Sequence, residues 1–104
     1  MQLVMSQGWT KDEGPSADAY VAASAAMQEF LEAQPGFVRR ELVRGVEDRT
    51  HFINLRWFET VQHYLAITAL PAYPDLLASL AEHLDLRKYE EFGYPREFLD
   101  VVLG

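Results

Sequence analysis

Three segments of the chain carry the alternation and the β-branched and aromatic content that are typical of strands. They are Gln2–Trp9, Phe37–Arg44 and residues 50–58. In the first segment, Leu3 and Met5 fall on one side together with Trp9. The second and third segments are separated by only a few residues, and this short connection favours an antiparallel hairpin.

Helical spacing of apolar residues marks the segment 17–33, in which Tyr20, Met27 and Leu31 fall on one face. Ser16 is the predicted N-cap of this helix, and Pro35 with the neighbouring glycine ends it. The helix therefore has one face to bury against a sheet.

The second half of the chain is predicted to hold two shorter helices and a last strand. The helices cover residues 61–69, where Glu59 or Thr60 opens the helix, and residues 75–84. Residues 86–92 are predicted as the last strand, followed by a turn at 93–95 and a tail with an apolar flank. We therefore predict a domain over residues 1–94 and a C-terminal tail over 95–104.

The order strand, helix, strand, strand, helix, helix, strand predicts an α+β fold on the ferredoxin-like βαββαβ plan. A right-handed crossover makes the first two strands parallel neighbours or near neighbours, with the helices on one face of the sheet. Phe52 and Phe58 share one side of the third strand, which we assign to the face without helices, and Trp57 lies on the other side. Because aromatic residues point both ways, we predict that the face without helices is buried against a second subunit in a homodimer.

Composition limits the possible functions. The chain has 104 residues, 16 acidic against 9 basic side chains, a net charge of −7 and no cysteine. The length fits one domain, and the absence of cysteine excludes disulfides and thiol nucleophiles. Because no basic stripe and no long apolar run occur, we expect neither a nucleic-acid partner nor a membrane partner, and we expect a cytoplasmic location. Three scattered histidines predict no metal site.

Two stretches of sequence are similar to a known family. They are Gln34-Pro35-Gly36-Phe37-Val38 with the strand after it, and Phe52-Ile53-Asn54-Leu55-Arg56-Trp57 followed by a helix that contains Tyr64. In these residues the chain resembles the antibiotic biosynthesis monooxygenase (ABM) domain. The resemblance implies a dimeric α/β barrel of ferredoxin-like protomers, and it implies candidate activities that include oxidation of quinol- or anthrone-type phenols with O2 without any cofactor.

Two other properties of the family fit this chain less well. The resemblance implies that heme-degrading members use a first-strand Asn and a helix His some nine or ten residues after a core Trp. Trp57 matches, but the first strand has no Asn and His63 comes too early. Anthrone-oxidising members carry an Asn before the Trp on the same strand face, whereas Asn54 and Trp57 fall on opposite faces of a regular strand.

The candidate site follows from the register of the hairpin. If Val43 pairs with His51 and Phe37 with Trp57, then Arg39, Glu41 and His51 share the face of Trp57. The candidate catalytic bases are His51 and His63, because an imidazole titrates near neutrality, and Arg39 or Arg56 would stabilise the substrate anion. The candidate substrate-binding residues are Trp57, Arg39, Glu41, Tyr64 and Phe37.

Each of these residues also has a structural interpretation. Trp57 could be a core residue, His51 a hydrogen-bonded strand histidine, and His63 an exposed one, while Arg39 with Glu41 could be a surface ion pair. Two hypotheses follow. A cofactor-independent ABM-type monooxygenase, which we favour, predicts a pocket between sheet and helices that Trp57 and a histidine line. A non-catalytic binding or interaction module on the same dimeric fold predicts a filled or purely apolar core.

Overall fold

The computed structural model describes residues 1–92 and 96–103, and the side chains in these ranges apart from those of residues 91 and 92. The helices and strands in this part of the chain are β1 (Gln2–Trp9), α1 (Pro15–Glu32), β2 (Phe37–Arg44), β3 (His51–Phe58), α2 (Val61–Thr68), α3 (Tyr73–Ala81), α4 (Lys88–Phe92) and β4 (Arg96–Asp100).

The four described strands form one sheet in the order β2-β3-β1-β4. Each neighbouring pair is antiparallel. Because β3 is antiparallel to both β1 and β2, these two strands are parallel to one another and lie on either side of it. This topology confirms the predicted α+β ferredoxin-like plan and the near-neighbour placement of the first two strands.

The predicted last strand is wrong. Residues 86–92 contain the helix α4 instead, consistent with the low strand preference of Lys88 and Glu90. The fourth strand is Arg96–Asp100, which pairs with β1 so that Val4 is opposite Phe98. It lies in the segment that the sequence suggested as a tail, residues 95–104. The turn predicted at 93–95 lies outside the described residues.

The predicted N-cap of α1 is also wrong, while that of α2 is confirmed. Helix α1 begins at Pro15, one residue before Ser16. The carboxylate of Asp12 accepts hydrogen bonds from the backbone N–H groups of Gly14 and Ser16. These hydrogen bonds lower the pKa of Asp12, and that from Ser16 contributes most. At α2, the hydroxyl of Thr60 accepts a hydrogen bond from the backbone N–H of His63.

The register of the hairpin differs from the predicted one by two residues. Val43 pairs with Ile53 rather than with His51, and Trp57 pairs with Arg39 rather than with Phe37. The register shifts between residues 37 and 39, so Phe37 pairs with Phe58. Because an offset of two preserves the face of a strand, the predicted grouping of Arg39, Glu41 and His51 on the face of Trp57 is correct.

The core lies between the helices and one face of the sheet. Phe52 and Phe58 are 2% and 0% exposed and point toward the helices, where Tyr20 of α1 packs against Phe52 with ring centroids 5.0 Å apart. The inference that these two phenylalanines lie on the face without helices is therefore wrong. That outer face instead carries Leu55 and Trp57, which are half-buried in the single chain.

Among the described residues, no single helix is both long and apolar enough to cross a membrane. Helices α2 and α3 satisfy length and composition only as a pair, and they meet at an angle of 84°.

We expect Phe58→Ala to lower the free energy of unfolding by about 3 to 5 kcal/mol, because a fully buried ring would be replaced by a cavity. Phe98→Ala is the matched control, since Phe98 is 44% exposed. Denaturant unfolding followed by circular dichroism measures both losses. Equal losses for the two variants would contradict this placement of the core.

Candidate functional site

Two polar side chains occupy the middle of the helix-facing side of β3. Asn54 and Arg56 are 7% and 6% exposed and stand between the core residues Phe52 and Phe58. The guanidinium of Arg56 donates a hydrogen bond to Ser6 Oγ of β1 at 3.1 Å. Because buried cations are rare in protein cores unless they are paired, this position indicates a function beyond packing.

Arg56 borders two cavities between the sheet and the helices. The first has a volume of about 310 Å³, and Asn54 and Tyr20 also line it together with apolar side chains of α3 and the segment after it. The second has a volume of about 390 Å³ and is lined by Tyr64, Tyr73 and Arg96, among others. A mostly apolar cavity with a few converging polar groups is typical of a small-molecule site.

Three buried polar atoms in this region have no hydrogen-bond partner among the described residues. They are Asn54 Oδ1, Arg56 Nε and the Nε of Arg40, which lies directly opposite Arg56 on β2. Buried polar atoms are nearly always satisfied, so an unsatisfied acceptor and donor beside one cavity suit a ligand. Asn54 would accept from a hydroxyl, and Arg56 would donate to an oxygen.

Burial keeps the surrounding tyrosines neutral to a higher pH than is usual for this side chain. It raises the pKa of Tyr20 and of Tyr73, although the nearby guanidinium of Arg56 acts in the opposite direction on both, as Arg40 does on Tyr20. Burial also raises the pKa of Tyr89, which lines the first cavity. These phenols are therefore hydrogen-bonding groups at neutral pH and carry no charge.

Three of the predicted site residues do come together, but on the outer face of the sheet. Arg39 Nη2 lies 2.9 Å from Glu41 Oε2, and the guanidinium of Arg39 lies 4.1 Å from the centre of the Trp57 ring. A shallow cavity of about 470 Å³ adjoins Arg39 and Trp57. The arginine thus covers the indole face that a substrate would otherwise use.

His51 shares this outer face at the opposite end of β3. Its ring stacks on Trp9 with centroids 4.5 Å apart, and its Nε2 lies 3.1 Å from Gln7 Oε1. Six residues along a strand span about 20 Å, so His51 and Trp57 do not converge on one small ligand.

The remaining predicted residues lie on the helix side. His63, in the first turn of α2, has its Nδ1 2.8 Å from the hydroxyl of Thr60, and it borders neither cavity. Phe37 packs edge-on against Phe58. Tyr64 is buried, and its hydroxyl accepts a hydrogen bond from Arg96 at 3.1 Å. Tyr64 is thus the one residue of the predicted site that borders a cavity with Arg56.

The sequence alone gives Tyr20 no functional role and places Asn54 on the strand face opposite Trp57. A signal was present in β3, because Asn54 and Arg56 interrupt one apolar side of the strongest strand between Phe52 and Phe58. Among the described residues, no three His, Asp or Glu side chains come together in a group that could hold a metal ion.

The chain matches the family model of antibiotic biosynthesis monooxygenases over residues 12–88. No curated protein matches it. Among solved structures, it is similar to SnoaB, a cofactor-independent oxygenase from Streptomyces nogalater, with a TM-score of 0.83 and 14% identity over 99% of this chain and 94% of that one. It is also similar to a protein from Bordetella bronchiseptica, provisionally described as an antibiotic biosynthesis monooxygenase, with a TM-score of 0.75 and 12% identity over 98% and 97% of the two chains.

We expect Tyr20→Phe to make stability less sensitive to alkali. The folded state holds the Tyr20 proton more tightly than the unfolded state, so this contribution is complete below the ordinary tyrosine pKa of about 10 and is lost as pH rises above it. Urea unfolding at neutral pH and at about pH 10.5 measures the effect. The same loss of stability in wild type and variant would contradict the assignment.

Proposed function

The chain belongs to the antibiotic biosynthesis monooxygenase family, and we propose that it is a cofactor-independent monooxygenase that oxidises a small aromatic substrate, a quinol or a polyketide-like phenol, with O2. The observation that carries this proposal is the buried pair Asn54 and Arg56, which faces a cavity with otherwise largely apolar walls. We propose this cavity, on the helix side of the sheet, as the active site.

The chemistry requires little of the protein. The substrate loses its phenolic proton to a water molecule, and the resulting anion is electron-rich enough to reduce O2. A proton is taken up again from water before the oxidised product leaves. Asn54 Oδ1 would accept the hydrogen bond of the phenol, and Arg56 would stabilise the anion as it forms. One oxygen atom of O2 enters the substrate at a CH2 or CH carbon, and the other leaves as water with two hydrogen atoms. The apolar walls exclude bulk water from the reacting carbon.

The position of Asn54 departs from the anthrone-oxidising pattern. In that pattern, which the sequence resemblance implied, an asparagine precedes the tryptophan on the same strand face. Asn54 lies on the cavity side of β3, whereas Trp57 lies on the outer face, and the aromatic residue that follows Asn54 on the cavity side is Phe58. The role proposed for Asn54 therefore rests on its burial and on its Oδ1, which is unpartnered among the described residues, and not on the family pattern.

The alternative is a non-catalytic binding or interaction module on the same fold. It requires a core that is filled or lined only by apolar groups. The lining of the first cavity by Arg56, Asn54 and Tyr20 favours the enzyme.

We also propose that the protein is a cytoplasmic homodimer and that the outer face of the sheet is its interface. Leu55 and Trp57 lie on this face with Met5, which is the partner of Leu55 on β1. Members of the family are typically dimeric, and a two-fold dimer would bury this surface against its own copy. In such a dimer, Arg39, Glu41, Trp57 and His51 would lie at or near the interface.

Oxygen uptake with a panel of hydroquinones and anthrones tests the activity. We expect wild type to consume O2, and we expect Arg56→Gln and Asn54→Ala each to lower kcat/KM by about a hundredfold, because Arg56 stabilises the developing anion and Asn54 orients the phenol that loses its proton. Uptake that is unchanged in both variants would place the chemistry elsewhere.

The same assay decides the predicted roles of the two histidines. Loss of uptake in His51→Ala would move the reaction to the outer face, and loss in His63→Ala would move it to the start of α2. Either result would contradict the cavity around Arg56 as the active site.

We expect Leu55→Glu to convert the dimer to monomers, because a carboxylate on each copy would be buried against an apolar surface. The matched control is Val46→Glu, since Val46 is 87% exposed in the loop between β2 and β3. Sedimentation velocity measures the size of both variants. A wild type that sediments as a single chain would refute the proposed interface.

A further inference from the structure

Arg40 and Arg56 form a cross-strand pair of like charges. They are direct partners in the ladder between β2 and β3, and both point to the helix side of the sheet. Like charges that lie directly opposite in a sheet destabilise it. Arg56 is more than nine-tenths buried, and desolvation together with the nearby charge of Arg56 lowers the pKa of Arg40. The fold therefore holds two positive charges close together at an energetic cost.

No described carboxylate compensates this charge. Arg40 donates to the backbone oxygen and the hydroxyl of Ser24 at 3.3 and 2.6 Å, and Arg56 donates to the hydroxyl of Ser6. All of these acceptors are neutral. The described ion pairs join Arg39 with Glu41, His63 with Glu59, and Arg87 with Asp85.

The acidic residues lie elsewhere. The described Asp and Glu side chains are exposed, apart from that of Asp85, which is half-buried and bonds to Arg87. The tyrosines beside Arg56 carry no charge near neutral pH, and burial raises the pKa of Tyr20 and Tyr73 further. The chain thus has a net charge of −7 and an acidic surface around an interior that is locally positive.

We propose that the cavity beside Arg56 selects an aromatic substrate that carries a permanent negative charge, an ionised carboxylate, in addition to the phenol that is oxidised. The carboxylate would accept from the Nε of Arg56, which is unpartnered in the described part of the chain, with the charge of Arg40 behind it. The phenol would lie at Asn54 within reach of the same positive charge. A buried cation that lacks a counter-ion in the protein gains most from an anionic ligand, and a guanidinium matches a carboxylate in geometry. This inference rests on the proposed function, since it names the substrate class of the same cavity.

Calorimetric titration with naphthalene carboxylate (naphthoate) and its neutral carboxamide tests the selection, because the two probes have nearly the same shape. We expect wild type to bind naphthoate about tenfold more tightly or better, since a charge-assisted hydrogen bond is roughly twice as strong as a neutral one. A wild type that binds the two probes equally, or binds neither, overturns the proposal.

Variants locate the selecting charge. We expect Arg56→Gln to abolish the preference for naphthoate, Arg56→Lys to keep part of it, and Arg40→Gln to reduce it. Arg49→Gln, which makes the same charge change in the loop before β3, should leave it intact. Circular dichroism verifies that each variant is folded. If Arg56→Gln does not fold, the preference measured for Arg40→Gln decides the outcome. A preference that survives in both Arg56→Gln and Arg40→Gln overturns the proposal.

The binding assay separates this inference from the proposed activity. Selective naphthoate binding without O2 uptake from any phenol would refute the monooxygenase and leave the anion site standing. Oxidation of neutral quinols by a protein that does not discriminate between the two probes would refute the anion site and leave the monooxygenase standing.

Discussion

The desolvated guanidinium of Arg56 is the constraint on which the rest of the site depends. A side chain of this size and charge, buried in the centre of a sheet face, cannot be packed over by apolar groups without a large electrostatic cost. Ser6 accepts a hydrogen bond from it, Asn54 lies two residues before it on the same strand face, and cavities adjoin it on two sides. The polar centre of the sheet face and the cavities beside it therefore share one residue.

The core and the site share the same strand because β3 alternates with period two. Phe52 and Phe58 fix the ends of its helix-facing side in apolar contacts, while Asn54 and Arg56 occupy the middle. The strand is flanked on both sides by hydrogen-bonded neighbours, which keeps these side chains in fixed positions. Rigid support of this kind is what a binding or catalytic group needs.

Much of the fold could be predicted from local patterns, because strand alternation, helical spacing and Gly–Pro breaks are properties of the sequence itself. The bounds of β1 and β2 agree with prediction, and these two strands are near neighbours in the sheet, as the crossover predicts. The last strand could not be identified from local patterns. The Lys- and Glu-rich segment 86–92 and the short apolar flank after it are both weak strand candidates, and only pairing with β1 decides between them.

The site was harder to predict for a physical reason. Alternation shows which residues share a face, so the grouping of Arg39, Glu41 and Trp57 was correct. It does not show which face the helices cover, and this choice decides whether Trp57 or Asn54 with Arg56 faces the cavity. The aromatic residues on both sides of β3 were a misleading indicator, since Phe52 and Phe58 face the helices. The two polar residues between these phenylalanines were the better indicator.

The two walls of the first cavity come from different kinds of element. The guanidinium of Arg56 and the amide of Asn54 lie on β3, whereas Leu77, Leu80 and Ala81 of α3 supply much of the opposite, apolar wall. Exchanges among apolar residues on that helix would reshape the cavity without altering the polar groups on the strand. Related proteins with this arrangement would therefore differ in the shape of the ring system that fits the cavity while keeping the same polar contacts from the strand.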